Sequence, residues 1–145
     1  MARSYKLSRM RRVLSIALLL FSVAGCGGGL HPVQGKVTFE DGTPLTIGMV
    51  VFESTDGKTI TARGDIQADG TYCLGTKRPG DGVPPGKYRV LIAPREDISA
   101  AAPERSLTFD KRYTDFSTSG LEYEVKVGPN EFPIRLKPPS KGRRS

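Results

Sequence analysis

The sequence predicts an all-β protein, a seven-stranded antiparallel β-sandwich that follows an N-terminal signal peptide. Three observations predict it: short runs in which apolar and polar residues alternate, turn sequences rich in Gly, Pro and Asp between those runs, and almost no helical periodicity. Strands of this kind bury one face each, so they are expected to pack as two sheets around one core.

The first five strands follow residue 32. They are predicted at 33–39, 47–52, 59–66, 71–74 and 86–93. Turn sequences separate them, such as Ala68-Asp69-Gly70, where the glycine can take a positive φ. The fifth run is the strongest, because it alternates from end to end. Cys73, in the fourth run, is expected to be a small buried residue rather than a reactive thiol or a ligand.

The last two strands are predicted at 121–127 and 131–136, on either side of the turn Gly128-Pro129-Asn130. Between 94 and 120 the alternation stops, and a segment of this length is too long for an ordinary sandwich loop. It is therefore expected to be an irregular insert, with a short helical turn within 106–113.

Several motifs of this body resemble the carboxypeptidase regulatory-like, transthyretin-like domain, and in particular small lipoproteins of that type from planctomycete bacteria. The matching motifs are Val33-x-Gly35-x-Val37, Asp41-Gly42-Thr43-Pro44-Leu45, Val50-x-Phe52, Ala68-Asp69-Gly70-Thr71-Tyr72 and Val83-Pro84-Pro85-Gly86-Lys87-Tyr88-Arg89-Val90. The resemblance covers nearly all of 33–136. It implies a prealbumin-like sandwich without a catalytic domain, and it brings no molecular activity with it.

The N-terminal leader has five basic residues followed by an uncharged apolar run at 13–23. A bilayer-spanning helix needs about 20 apolar residues, so this run is too short to span and suits the apolar region of a signal peptide. An uncleaved anchor helix from Leu7 to Leu30 is the alternative, but arginines and glycines interrupt it. The pair Arg11-Arg12 matches a twin-arginine export signal poorly.

The stretch Val23-Ala24-Gly25-Cys26 resembles the cleavage box of bacterial lipoprotein signal peptides. The resemblance implies that the Gly25–Cys26 bond is cut and that the Cys26 thiol carries a diacylglyceryl group. The protein would then be exported and anchored by lipid in the cell membrane or the outer membrane. A lipidated Cys26 also excludes a disulfide bond with Cys73, the other cysteine.

The predicted organisation has four parts. Residues 1–25 are the signal peptide, 26–31 a flexible tether, 32–137 the sandwich domain with its insert at 94–120, and 138–145 a basic disordered tail. At about 3.5 Å per extended residue, the tether keeps the body within roughly 20 Å of its anchor. The tail is expected to be solvated, although its charge would also suit an anionic surface.

The net charge of +7 describes the precursor rather than the body. Five of the 22 Lys and Arg residues lie in the leader and four at the C-terminal end, so 13 remain against 15 acidic residues. A body of this charge has no broad basic face, and we expect no nucleic-acid partner.

Chemistry-bearing motifs are almost absent. His31 is the only histidine and lies in the tether, so a histidine-dependent active site or a histidine metal site is not expected. The acidic residues lack the spacing of a calcium loop, although a carboxylate cluster on loops remains an alternative. We therefore expect no enzyme activity, no cofactor and no metal.

Binding is the better class of function. The insert carries aromatic and basic residues of the types enriched at interfaces: Arg105, Phe109, Lys111, Arg112, Tyr113 and Phe116. Arg112, Tyr113 and Phe116 are the candidate binding residues, and the alternative is that the aromatic residues cap the core. The sequence thus predicts a lipid-anchored envelope protein that serves as an accessory or protein-interaction module. A surface carbohydrate-binding module is the alternative, which the absence of tryptophan disfavours.

Overall fold

The computed structural model describes residues 29–94 and 107–139, which form two β-sheets packed face to face. The described residues contain eight strands: β1 (Val33–Phe39), β2 (Met49–Ser54), β3 (Thr61–Asp65), β4 (Thr71–Cys73), β5 (Gly86–Ala93), β6 (Leu121–Val125), β7 (Asn130–Glu131) and β8 (Ile134–Leu136). A 3₁₀ helix, Lys111–Thr114, lies between β5 and β6. The all-β sandwich is therefore confirmed, and the fifth strand has the predicted bounds.

The first sheet has the order β4-β1-β7, with β8 also paired to β1, and the second has the order β3-β2-β5-β6. All pairs in the second sheet are antiparallel. In the first sheet β1 pairs antiparallel with β4 but parallel with β7 and β8. The prediction of a wholly antiparallel sandwich is wrong here, because the chain leaves β6 at the end where β1 begins and returns in the direction of β1.

The predicted last strand is divided into β7 and β8, which makes eight strands instead of seven. Both pieces keep one register against β1, with Val33 opposite Asn130 and Val37 opposite Ile134. Pro133 lies between them and has no N–H to give to the ladder, so the pairing is interrupted at that point. The number of strands differs from the prediction for this local reason, whereas the path of the chain agrees with it.

One hydrophobic core lies between the sheets. It contains Val33, Val37, Leu45, Val50, Phe52, Ala62, Ile66, Tyr72, Leu74, Val83, Tyr88, Val90, Ile92, Phe109, Tyr113, Val125, Ile134 and Leu136. Along β5 the residues Tyr88, Val90 and Ile92 are buried, while Lys87 and Arg89 are exposed, as the alternation predicts. Each strand therefore contributes one face to the core and leaves the other free.

Two turns at the strand ends share one device. The Oδ1 atom of Asp41 accepts hydrogen bonds from the backbone N–H and the hydroxyl of Thr43, at 2.9 and 2.6 Å. Asp69 does the same with Thr71, at 3.0 and 2.6 Å. In each case the hydroxyl bond, followed by the backbone bond, lowers the pKa of the carboxyl below its ordinary value. Asp-Gly-Thr is thus a turn sequence with a defined mechanism.

Two predicted positions need correction. Cys73 is exposed, not buried, because Tyr72 is the residue of β4 that points into the core. His31 is not part of a mobile tether: it forms an antiparallel bridge with Val83, with both N–H···O distances at 2.9 Å. Its Nδ1 atom also accepts a hydrogen bond from the backbone N–H of Gly128 at 2.9 Å. The folded body therefore begins one residue earlier than predicted.

Candidate functional site

The strand directions divide the loops between two ends of the sandwich. We call the end that carries residues 29–32, 55–60, 74–85 and 126–129 the proximal end, because the described chain begins there. The distal end carries residues 40–48, 66–70, 107–120 and 137–139. β5 runs from the first to the second, and its eight residues span about 26 Å at roughly 3.3 Å each. The described part of the insert therefore lies opposite the N-terminal segment.

At the distal end the 3₁₀ helix closes the core. Asp110 caps it, since its side chain accepts the backbone N–H of Arg112 at 3.0 Å. Phe109 and Tyr113 are 3% and 4% exposed, so both rings belong to the core. The Tyr113 hydroxyl oxygen also accepts the backbone N–H of Lys137 at 3.3 Å. Of the three candidate binding residues, Tyr113 therefore has a structural role as a core cap.

Arg112 lies over the ring of the neighbouring Tyr113. Its guanidinium carbon is 4.8 Å from the ring centroid, and its Nη2 atom donates to the Tyr113 hydroxyl at 2.8 Å. This hydrogen bond raises the pKa of Arg112 further, so its charge is fixed. The side chain is exposed but held against the cap, which leaves its outer edge as the part accessible to a partner.

Phe116 is half-buried and is not part of the core. The guanidinium carbon of Arg89, on the outer face of β5, lies 5.5 Å from its ring centroid. The preceding residue fixes the loop: Asp115 Oδ1 accepts the N–H and the hydroxyl of Ser117 at 2.7 and 2.5 Å. The hydroxyl bond, then the N–H bond and the nearby Arg89 charge, lower the pKa of Asp115.

Arg89 also forms an ion pair with Glu53 across the β2–β5 pair, with Nη2 2.7 Å from Oε2. Both side chains are about two-fifths exposed, at 44% and 40%. Next to them on the same outer face, Val51 lies opposite Leu91, and both are half-buried. We call the set Glu53, Arg89, Leu91, Val51 and Phe116 the Arg89 face.

The Arg89 face offers an aromatic ring, two aliphatic side chains and an oriented ion pair. Such a surface can bind a partner by apolar contact together with charge-assisted hydrogen bonds. It holds no nucleophile with an adjacent base. Among residues 29–94 and 107–139, no group of three or more His, Cys, Asp or Glu side chains could hold a metal ion.

Sequence reasoning missed Arg89 and Glu53 as site residues. They are 36 positions apart, and only the register of β2 against β5 brings them together. The alternation of β5 did predict that Arg89 faces outward. The aromatic residues of the insert divide between two places: Phe116 lies at the surface, whereas Phe109 and Tyr113 belong to the core.

The remaining expectations lie outside the described residues. These are the signal peptide, the lipidation site Cys26, Arg105 of the insert and the basic tail beyond residue 139. Within the described part of the chain, no helix has both the length and the apolarity that a membrane crossing requires.

Comparison with known proteins adds little to the geometry. No family model matches the chain, and no curated protein matches it. The chain is similar to a solved structure, a DUF3823 family protein from Parabacteroides merdae ATCC 43184, at 15% sequence identity and a TM-score of 0.47. That similarity covers 76% of this chain but only 47% of the other, so this chain spans about half of that protein's length. The resemblance to carboxypeptidase regulatory-like domains stays a prediction.

Proposed function

We propose that this protein is a lipid-anchored, non-enzymatic binding module of the cell envelope, and that its Arg89 face engages a protein partner. The observation that carries the proposal is the separation of the two ends. The N-terminal segment joins the body at His31, at the proximal end, whereas Phe116 lies on the distal loop 107–120. An anchor at Cys26 would therefore leave the Phe116 end of the face turned away from the membrane.

The anchor itself rests on the sequence. The leader and the box Val23-Ala24-Gly25-Cys26 fit a lipoprotein signal, and four residues separate Cys26 from His31. Acyl chains contribute about 0.8 kcal/mol of membrane affinity for each buried methylene, so two or three chains would retain the body at the bilayer.

The binding role rests on the Arg89 face. Phe116 is only half-buried although the core lies close by, and Arg89 faces solvent while it contacts both Phe116 and Glu53. Arginine and aromatic residues are enriched at interface hot spots. The non-enzymatic part of the proposal is supported by the use of His31, the one histidine, as a structural acceptor for the N–H of Gly128.

The anchor is tested by mass spectrometry of the full chain isolated from membranes. The expected N-terminus is Cys26 with attached acyl chains, and the Cys26→Ser variant should remain unprocessed. Recovery of a Cys26→Ser variant that matures and stays in the membrane fraction as the parent does would contradict the anchor.

The binding role is tested by purifying the tagged full chain in mild detergent from cells that express it naturally. A protein partner should copurify with the parent and with Lys58→Ala, a proximal-end control, but not with the double variant Arg89→Ala/Phe116→Ala. If cell-wall polysaccharide shows that same dependence and no protein does, the carbohydrate-binding alternative is correct. A partner retained equally by all variants would exclude the Arg89 face.

A further inference from the structure

One large hydrophobic side chain stands out at the surface of the described residues. Val127 is 80% exposed, and it lies at the proximal end, in the turn between β6 and β7. Single exposed valines are common in proteins, so exposure by itself indicates nothing. We call this turn, residues 126–129, the tip.

A buried side chain forms hydrogen bonds with the backbone of the tip. Asn130 is only 6% exposed, and its Oδ1 atom accepts the backbone N–H of Lys126 at 2.8 Å. Its Nδ2 atom donates to the carbonyl oxygens of Lys126 and Gly128, at 2.9 and 2.8 Å. The side-chain amide of Asn130 thus provides hydrogen-bond partners for one backbone N–H and two backbone carbonyls of the turn. Val127 therefore lies in a hydrogen-bonded turn, with its side chain in solvent and not on the core.

The tip is also joined to the start of the described chain. The N–H of Gly128 donates to Nδ1 of His31 at 2.9 Å, and His31 is itself paired with Val83. Four residues lie between Cys26 and His31, so extended chain of about 3.5 Å per residue keeps the two within roughly 20 Å. A lipid on Cys26 would therefore hold the tip close to the bilayer surface.

Among residues 29–94 and 107–139, the loops at the two ends differ in the sign of their charge. The proximal loops expose Lys58, Lys77, Arg78 and Lys126, against Asp56 and Asp81. Both of those carboxylates are engaged with backbone N–H groups, Asp56 with Lys87 and Asp81 with Thr76 and Arg78. The distal loops carry Glu40, Asp41, Asp69, Asp110 and Asp115, against Lys111, Arg112 and Lys137. An anionic surface would therefore attract the described proximal loops more strongly than the described distal loops.

We infer that the proximal end is a bilayer-docking surface, with Val127 in the headgroup region and the proximal cations, Lys126 among them, on anionic lipid headgroups. The inference rests on the proposed lipid anchor, which supplies the attachment that a single valine does not. Docking of the tip sets the orientation of the sandwich. β5 then runs away from the membrane surface, and the Phe116 end of the Arg89 face lies on the side far from the membrane.

The absence of tryptophan from the chain makes a direct test possible. The Val127→Trp variant of the full chain, isolated with its lipid and reconstituted into vesicles of phosphatidylglycerol and phosphatidylcholine, carries one tryptophan at the tip. The reference is the same variant in detergent-free buffer, after its acyl chains have been removed enzymatically. Compared with that reference, the tryptophan emission of the vesicle-bound protein should lie at shorter wavelength. Lipids brominated near the headgroup should quench it. Thr46→Trp, an exposed residue at the distal end, is the matched control and should show neither effect.

The charge contribution is tested by replacing phosphatidylglycerol with phosphatidylcholine alone, or by Lys126→Glu in the Val127→Trp background. Each should reduce the bromolipid quenching, while far-ultraviolet circular dichroism stays unchanged. If tryptophan at 127 remains accessible to aqueous iodide and is quenched by bromolipid no more than tryptophan at 46, docking is refuted even though the anchor stands.

Failure of the anchor is distinguished from failure of docking by the mass of the N-terminus. If Cys26 carries no lipid, the same variants with Cys73→Ser are coupled through the Cys26 thiol to vesicles that contain a maleimide lipid. Shift and quenching at position 127 would then support docking without the natural anchor, and their absence would overturn it.

Discussion

The ring of Tyr72 occupies the part of the core that a side chain at Gly35 would fill. The two residues lie opposite each other in the β1–β4 pair, and a Cβ atom at position 35 would come within 2.9 Å of Tyr72 Cε1. The Tyr72 hydroxyl then donates to the carbonyl oxygen of Phe132 at 2.6 Å, where β7 and β8 part. Burial raises the pKa of this phenol, which keeps it protonated as a donor. Tyr72 thus forms a hydrogen bond at the point where the last strand is interrupted, and the absence of a side chain at Gly35 leaves space for its ring.

Gly35→Ala should be strongly destabilising. The added methyl group would collide with the backbone carbonyl of Phe132 as well as with the Tyr72 ring, and backbone cannot move aside as a side chain can. We expect a loss of about 3 kcal/mol or more in the free energy of unfolding, measured by chemical denaturation. Gln34→Ala, at the exposed neighbouring position, is the control and should change stability little. Equal effects of the two substitutions would contradict the close approach.

Tyr72→Phe should cost about 1 to 2 kcal/mol, because it keeps the ring but leaves the carbonyl of Phe132 without its partner. The same measurement applies. The loss should be smaller than for Gly35→Ala, and amide hydrogen exchange should accelerate first at 130–134. An unchanged exchange rate there would show that the hydroxyl does not hold the interrupted strand.

The strands of the sandwich were predictable where a single strand is long enough to show apolar/polar alternation. β5 alternates over its whole length, so both its bounds and its buried face follow from sequence. The fourth strand is too short for that: Tyr72, Cys73 and Leu74 are consecutive apolar residues, and periodicity does not determine which of them point inward. Packing determines the orientation of this strand. The Tyr72 ring fills the space beside Gly35 in the core, so Cys73, the next residue, faces outward.

The candidate site was predictable only in part for a related reason. Residue types in the insert indicated a surface or a cap, and the structure makes Tyr113 a cap and leaves Phe116 at the surface. Which ring enters the core depends on the turn set by Asp110 and on the space left at the end of the sheets. The ion pair of Arg89 with Glu53 depends on strand register, which no local pattern records.

The Asp-Gly-Thr turns predict a measurable titration effect. Thr71→Val removes the hydroxyl bond to Asp69 but keeps the backbone bond, so the pKa of Asp69 should rise towards its ordinary value. Because the folded-state pKa is lowered, the turn stabilises the fold above the unfolded-state pKa and loses that contribution as pH falls through the folded one. Carboxyl-carbon NMR titration measures the pKa of Asp69 in the parent and in the variant. Asp41, in the unaltered turn with Thr43, is the internal control and should not shift.

Cys73 should react with a maleimide in the native protein. Its side chain is exposed on β4, so labelling should reach one thiol per chain without denaturant. If Cys26 is lipidated, its sulfur is blocked, and unfolding should add no second label. Cys73→Ser should abolish labelling. Protection of Cys73 until the protein unfolds would restore the view that it belongs to the core.

The insert predicts a contrast between two aromatic residues three positions apart. Tyr113→Ala should cost about 3 to 4 kcal/mol, because it empties a core position that is 4% exposed and removes the acceptor for the Lys137 N–H. Phe116→Ala should cost about 1 kcal/mol or less, since its ring is half-buried and its contact with Arg89 is solvent-exposed. Urea denaturation measures both, and partner binding should show the reverse order once Tyr113→Phe replaces the unstable variant. Similar destabilisation by both alanine substitutions would make Phe116 a second cap, and the Arg89 face would then lose its aromatic contact.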